Sequence, residues 1–159
     1  MKSQDILERK QKLITSNKKA GHLYEIVYSL EAGIVLKGTE VKSLREGKCS
    51  IQDSYAGFPN SVTNELFLMN FHISPYSHGN RENHEPKRMR KLLVTSREAR
   101  KMKVAVSEKG LTIIPLSIYF SGPFVKVELG LVRAKRKYDK REATKERETN
   151  RDIQKQFKY

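Results

Sequence analysis

The sequence contains no tryptophan and a single cysteine, Cys49. A lone cysteine can neither close an internal disulfide nor share a metal with a second thiol, so Cys49 reads as a small filler residue and the chain suits a reducing cytoplasm. No apolar run approaches ~18 residues and the start lacks a signal-type apolar region, so no membrane anchor is expected. Acidic residues are scarce: 18 Asp and Glu stand against 32 Lys and Arg, and the net +14 favours a polyanionic partner, nucleic acid ahead of a membrane surface. Catalytic signatures are missing too. His22, His72, His78 and His84 form no HExxH pair, and the last three fall six apart, which does not stack on one helix face. There is no GxSxG, P-loop or GxGxxG string, and the carboxylates lie scattered among Lys and Arg as ordinary surface pairs do. The expectation is a protein without catalytic residues, metal or cofactor.

What remains is one domain of modest core, since only 37% of the 159 residues are hydrophobic. Residues 1–16 mix Lys2, Arg9, Lys10 and Lys12 with isolated apolar residues and read as a mobile basic arm. Residues 17–22 form a polar loop, and residues 23–30 alternate like a strand. Residues 31–48 then read as strand, sharp turn at Gly38, short helix capped by Thr39 and closed at Gly47, and return strand. This compact unit carries Glu31, Lys42, Arg45 and Lys48 on rigid elements. Residues 51–58 and 65–73 are two further β-prone runs joined by a hairpin connection containing Gly57, Pro59 and Asn60.

Residues 74–90 are long, polar and unsuited to a core face. Thr95 and Glu98 form a capping box for a helix with Ala99, Met102 and Val106 at helical spacing, ended by Gly110. Residues 111–120 and 124–132 make a final strand pair, the second with Val125, Val127, Leu129 and Leu131 on one face and Lys126 and Glu128 on the other. About six strands and two short helices without βα alternation imply a small antiparallel barrel; strand counting does not separate an oligonucleotide-binding type from an SH3-like barrel or open sandwich.

From residue 133 the composition changes. Eleven Lys or Arg against five Asp or Glu leave +6 in the last 27 residues, with few large apolar groups. Such a segment cannot bury enough surface to fix itself, although its lack of Gly and Pro permits a helix on a partner. Wound at ~100° per residue, it gathers Arg133, Lys137, Lys140, Arg141, Arg147, Arg151, Lys155 and Lys158 on one broad face, the arrangement of a helix lying along phosphates. On the globular part, Lys18, Lys19, Lys42, Arg45, Lys48 and the cluster of residues 87–91 are interleaved with His22, Tyr24, Tyr55 and Tyr76. Cations position a phosphate backbone while aromatic faces stack on unpaired bases. Glu31 is the exception: beside an anionic partner it fits only as an acceptor for a base edge or sugar hydroxyl, or as a brace for a basic neighbour.

Several stretches in order, Asn17-Lys-Lys-Ala20, His22-x-Tyr24, Glu31-Ala-Gly33, residues 38–48, Asp53-Ser-Tyr55, residues 88–93 and Tyr138-Asp-Lys-Arg141, resemble the SmpB family of SsrA-binding proteins over nearly the whole chain. The resemblance implies an oligonucleotide-binding-type barrel over residues 17–132 and a C-terminal tail over residues 133–159, disordered in isolation and helical on the ribosome. It implies a cytoplasmic protein, a monomer when free, that binds the tRNA-like domain of transfer-messenger RNA and delivers it to ribosomes stalled on broken messages. Positions matching Asn17, Tyr24, Glu31 and Leu93 are tied to RNA binding in that family, and Lys18, Lys42, Arg45 and Lys91 are added here from the basic clusters. Positions matching Tyr138, Asp139, Lys140 and Arg141 act against small-subunit ribosomal RNA in the decoding centre; Lys145, Arg147 and Arg151 extend that set along the message channel. Where the family usually has glycine at the tail junction, this chain has Ala134.

Overall fold

The computed structural model describes residues 11–79 and 82–135. In chain order the elements are β1 (Gln11–Ser16), the single turn α1 (Ala20–Leu23), β2 (Tyr24–Ile34), α2 (Gly38–Arg45), β3 (Cys49–Ser50), β4 (Tyr55–Gly57), β5 (Phe67–Met69), β6 (His72–Ile73), β7 (Arg90–Leu93), α3 (Ser96–Lys109), β8 (Thr112–Ser121) and β9 (Phe124–Ala134). Strands β8, β4, β5, β7, β2 and β9 form a ring, closed where β9 pairs again with β8, and every pairing is antiparallel. This is the small antiparallel barrel expected from the sequence. Closure removes most of the edges along which an open sheet aggregates.

The long strands follow the sequence alternation. In β9, Val125, Val127, Leu129 and Leu131 are buried while Phe124, Lys126 and Glu128 point outward. They meet Leu68, Leu92, Ile113 and Ile118 in one core that Leu44 of α2 and Met102 of α3 plug. Helix α3 has the expected box: Thr95 Oγ1 accepts from Glu98 N–H at 3.2 Å and the Glu98 carboxylate accepts from Thr95 N–H at 3.2 Å. It ends at Gly110. Its buried stripe is Ala99, Met102 and Ala105, whereas Val106, expected on that stripe, is exposed.

Several boundaries differ from the sequence reading. Residues 11–16, assigned to a mobile arm, form β1 and pair with residues 117–121 of β8. The polar loop before β2 contains the turn α1, and β2 continues to Ile34 because its pairing with β9 extends to Gly33. Thr39 is not the cap of α2: the N-cap is Lys37, whose N–H donates to the Glu40 carboxylate at 2.7 Å, and Thr39 Oγ1 bonds His84 instead. Of the two β-prone runs, the first is strand only over Tyr55–Gly57, after a turn at Asp53 (φ +66°), and the second breaks in two at Asn70 (φ +60°); both turn residues are types that tolerate the left-handed conformation. The tail positions, including Tyr138, Asp139, Lys140, Arg141, Lys145, Arg147 and Arg151, and residues 1–10 lie outside the described residues.

Three register shifts shape the outer surface: between Leu13 and Thr15 in β1, Ile26 and Tyr28 in β2, and Pro115 and Ser117 in β8. Pro115 has no N–H to give the ladder, so a break beside it is forced. Each bulge takes up one extra residue and inverts the alternation beyond it, so that Tyr24 before the β2 bulge and Glu31 after it both lie on the outer side, as Ile113 before the β8 bulge and Ile118 after it both lie in the core.

Candidate nucleic-acid interface

The outward set makes one continuous face. Cross-strand partners place Tyr24 beside Ala134, Glu31 beside Glu128, Gly33 beside both Lys126 and Leu93, and Lys126 beside Tyr119. Asn17 joins at the β8 bulge, where its N–H donates to the Leu116 carbonyl at 2.8 Å and its side-chain amide lies 3.5 Å from the Pro115 carbonyl. A Cβ at position 33 would sit 3.3 Å from Leu93 Cβ, so glycine there lets β7 carry Leu93 close across the sheet, where it is 52% exposed. Lys91, two residues earlier on β7, is exposed on the same side. Asn17, Tyr24, Glu31, Lys91 and Leu93, named from separate parts of the sequence, therefore share one surface, and Lys18 stands exposed next to Asn17.

The members of this face differ in freedom. The Tyr24 ring is half-buried against a small outer cluster of Ala20, Ile114 and Val132, which fixes its orientation. Glu31 is exposed and accepts a hydrogen bond from the Tyr119 hydroxyl. The sequence leaves Glu31 two roles, acceptor for a base edge or sugar hydroxyl or brace for a basic neighbour; within the protein the neighbour it holds is a tyrosine. Burial first, then the Glu31 hydrogen bond and charge and the nearby Glu128, push the Tyr119 phenol well above its ordinary value, so it stays protonated and remains a donor. On the opposite strand, Glu128 accepts from Ser117 Oγ at 3.1 Å. Two carboxylates thus lie side by side at the centre of the face, each held by a hydroxyl. Tyr119→Phe is expected to lower the stability, the free energy of unfolding, by about 1 kcal/mol, the ordinary worth of one hydrogen bond. Urea unfolding with an unchanged m-value checks it.

Lys42 and Arg45 lie elsewhere. They ride on α2, which caps the barrel through buried Leu44. Lys42 Nζ stands 5.4 Å from the centroid of the Tyr76 ring, and Arg45 reaches a groove by the β8–β9 hairpin. Sequence reasoning missed what holds α2 in place. Glu40, fully buried, accepts from Lys37 N–H, from Arg88 at 2.6 Å and from the fully buried Arg90. Arg90 also donates to the carbonyls of Phe71 at 2.6 Å and Pro86 at 3.1 Å. His84, likewise buried, bonds Thr39 Oγ1 through Nδ1 at 2.9 Å and the Ile73 carbonyl through Nε2 at 2.9 Å. A carbonyl only accepts, so Nε2 carries a proton and donates it to Ile73. The long polar loop is thereby tied to α2 and the sheet. Among the described residues no cluster of His, Cys, Asp and Glu could hold a metal ion. Cys49 is half-buried, and burial pushes its thiol up to about 11, away from reactivity.

The family model described as SmpB protein matches residues 14–159. The chain belongs to the SmpB family. Among its relatives, an SsrA-binding protein of Carboxydothermus hydrogenoformans is 52% identical over 91% of this chain and 95% of its own length. Another of Geotalea uraniireducens is 53% identical over 90% and 93%. A solved structure described as "tmRNA-SmpB: a journey to the center of the bacterial ribosome" superposes with a TM-score of 0.64 at 47% identity, covering 82% of this chain and 93% of that one. An SmpB barrel therefore carries the face described above.

Proposed function

We propose that this chain binds the tRNA-like domain of transfer-messenger RNA and carries it to stalled ribosomes for trans-translation. The barrel grips the RNA, and the tail reads the empty decoding centre and message channel. Membership of the SmpB family carries the reading, and the gathering of Asn17, Tyr24, Glu31, Lys91 and Leu93 on one outer face supports its assignment to the barrel. The protein acts as an adaptor, without catalysis or cofactor, in the cytoplasm. No helix among the described residues is long and apolar enough to cross a membrane.

Any protein of net +14 binds RNA at low salt, so the test is selectivity as salt rises. In gel-shift titrations, preference for transfer-messenger RNA over bulk tRNA and an unrelated hairpin is expected to persist. Tyr24→Ala is expected to lose about tenfold in affinity, within the range of one stacked base. Equal collapse for all three RNAs would return the protein to a generic basic barrel. Tight stoichiometric ribosome association without transfer-messenger RNA would instead make it a permanent ribosome component.

A further inference from the structure

The aromatic side chain most exposed among the described residues is Phe124, at 61%. It opens β9 directly after the two-residue turn of Gly122 and Pro123, with Ser121 as its cross-strand partner. Gly122 has φ +58°, the conformation that such a tight hairpin demands at its first turn position and that only glycine adopts without strain. The ring is thus held out on a short, geometrically fixed tip. Alternation along β9 aims it to the same side as Lys126 and Glu128, and Lys126 Nζ lies 6.0 Å from its centroid. Leu13, 61% exposed, sits across from Tyr119 on the same surface. On the other flank of the tip a groove of about 670 Å³ is lined, among the described residues, by Gln11, Lys12, Arg45, Phe120, Gly122 and Pro123, two of them cations and none a carboxylate.

We infer that this hairpin tip is a second RNA subsite, in which Phe124 stacks on an unpaired base while Lys126, Lys12 and Arg45 take the flanking phosphates. The inference rests on the proposed RNA-binding reading and extends it to residues that reading leaves idle. An exposed phenyl ring with cations on both sides is the composition of a single-strand platform, where a π-face receives any base and the cations follow the backbone. The subsite is continuous with the Glu31 face through Lys126 and Tyr119. It also gives Arg45, which α2 holds away from Glu31, a ligand in reach of the same RNA.

Phe124→Ala is expected to weaken transfer-messenger RNA binding at raised salt by at least about fivefold, the lower end for one stacked base, with an unchanged salt slope. Phe124→Trp should restore affinity. Lys12→Ala and Arg45→Ala should each flatten the slope of log K against log salt by about 0.7, the value for one phosphate of a single strand. A photo-crosslinking p-benzoylphenylalanine at position 124 should label the RNA. Wild-type affinity in Phe124→Ala while Tyr24→Ala is impaired would overturn the subsite and leave the main face standing. Crosslinks to protein alone, whether a second copy or a ribosomal protein, would also overturn it. If wild type shows no preference for transfer-messenger RNA, the failure belongs to the functional reading instead.

Discussion

Replacing Glu40 by alanine is expected to cost about 3–5 kcal/mol of folding stability, a large part of the ~5–15 kcal/mol that holds a domain of this size together. The residue is fully buried, and so is Arg90 beside it. Deleting the carboxylate leaves a guanidinium in the interior with only carbonyl partners, and leaves Lys37 N–H without its acceptor. Desolvation by itself would raise the Glu40 pKa. Hydrogen bonds from Arg88, Lys37 N–H and Arg90, with the charge of Arg90, more than offset it and hold the group below the ordinary 4.5. A carboxylate depressed in the folded state contributes stability that is complete above its unfolded value and is lost as pH falls through the folded one. The gap between wild type and Glu40→Ala should therefore be widest near neutrality, begin to narrow as the pH falls below the ordinary 4.5, and shrink further as it passes through the lowered folded value. Urea melts at a series of pH values check both parts, and a variant within 1 kcal/mol of wild type at pH 7 would refute the argument. The ion cluster joins α2 to β7, the strand that carries Lys91 and Leu93. Its loss is thus expected to loosen the proposed RNA-binding face together with the fold.

That cluster also shows where sequence reading stops. Patterns that depend on neighbours in the chain were legible: the alternation of β9, the Thr95 and Glu98 box, and Gly110 as the stop of α3. Contacts that depend on the fold closing were not. Glu40 and Arg90 are fifty residues apart and each looks like a surface charge until the barrel brings them together. His84 lies in a loop too polar to suggest a buried side chain, and only Thr39 and the Ile73 carbonyl reveal its place. The same limit applies to the proposed RNA-binding face. Asn17, Tyr24, Glu31 and Leu93 were named through family resemblance, and the bulges that bring them to one side have no signature in the sequence beyond Pro115. Tyr119 escaped notice because the bulge at Leu116 changes the phase of β8 halfway along, so the outward set before it does not predict the set after it. Residues 11–16 were assigned to an arm because a strand laid against a single neighbour needs little apolar patterning of its own.

Truncation after Lys135 is expected to abolish tagging of stalled peptides while sparing recognition of transfer-messenger RNA. The position of the cut follows from the structure. Composition places the start of the tail at residue 133, but Glu25 pairs with Arg133 and Tyr24 with Ala134, so β9 runs through Ala134, where the family usually has glycine. Lys135 then donates from its N–H to the Leu23 carbonyl at 3.0 Å and from Nζ to the Gly21 carbonyl at 2.8 Å. A cut before residue 133 would strip these contacts from beside Tyr24, and any loss of RNA affinity would report damage to the barrel. A cut after Lys135 removes nine Lys or Arg and five Asp or Glu, a net +4. Some binding at low salt will go with that charge, because nonspecific attraction scales with the cations that meet phosphates. At raised salt the preference for transfer-messenger RNA over bulk tRNA should remain, while a reconstituted stalled-ribosome reaction yields no tagged product. Equal loss of selective binding and tagging would refute the division of labour between barrel and tail. Tagging that survives the cut would place the ribosome-reading surface on the barrel itself.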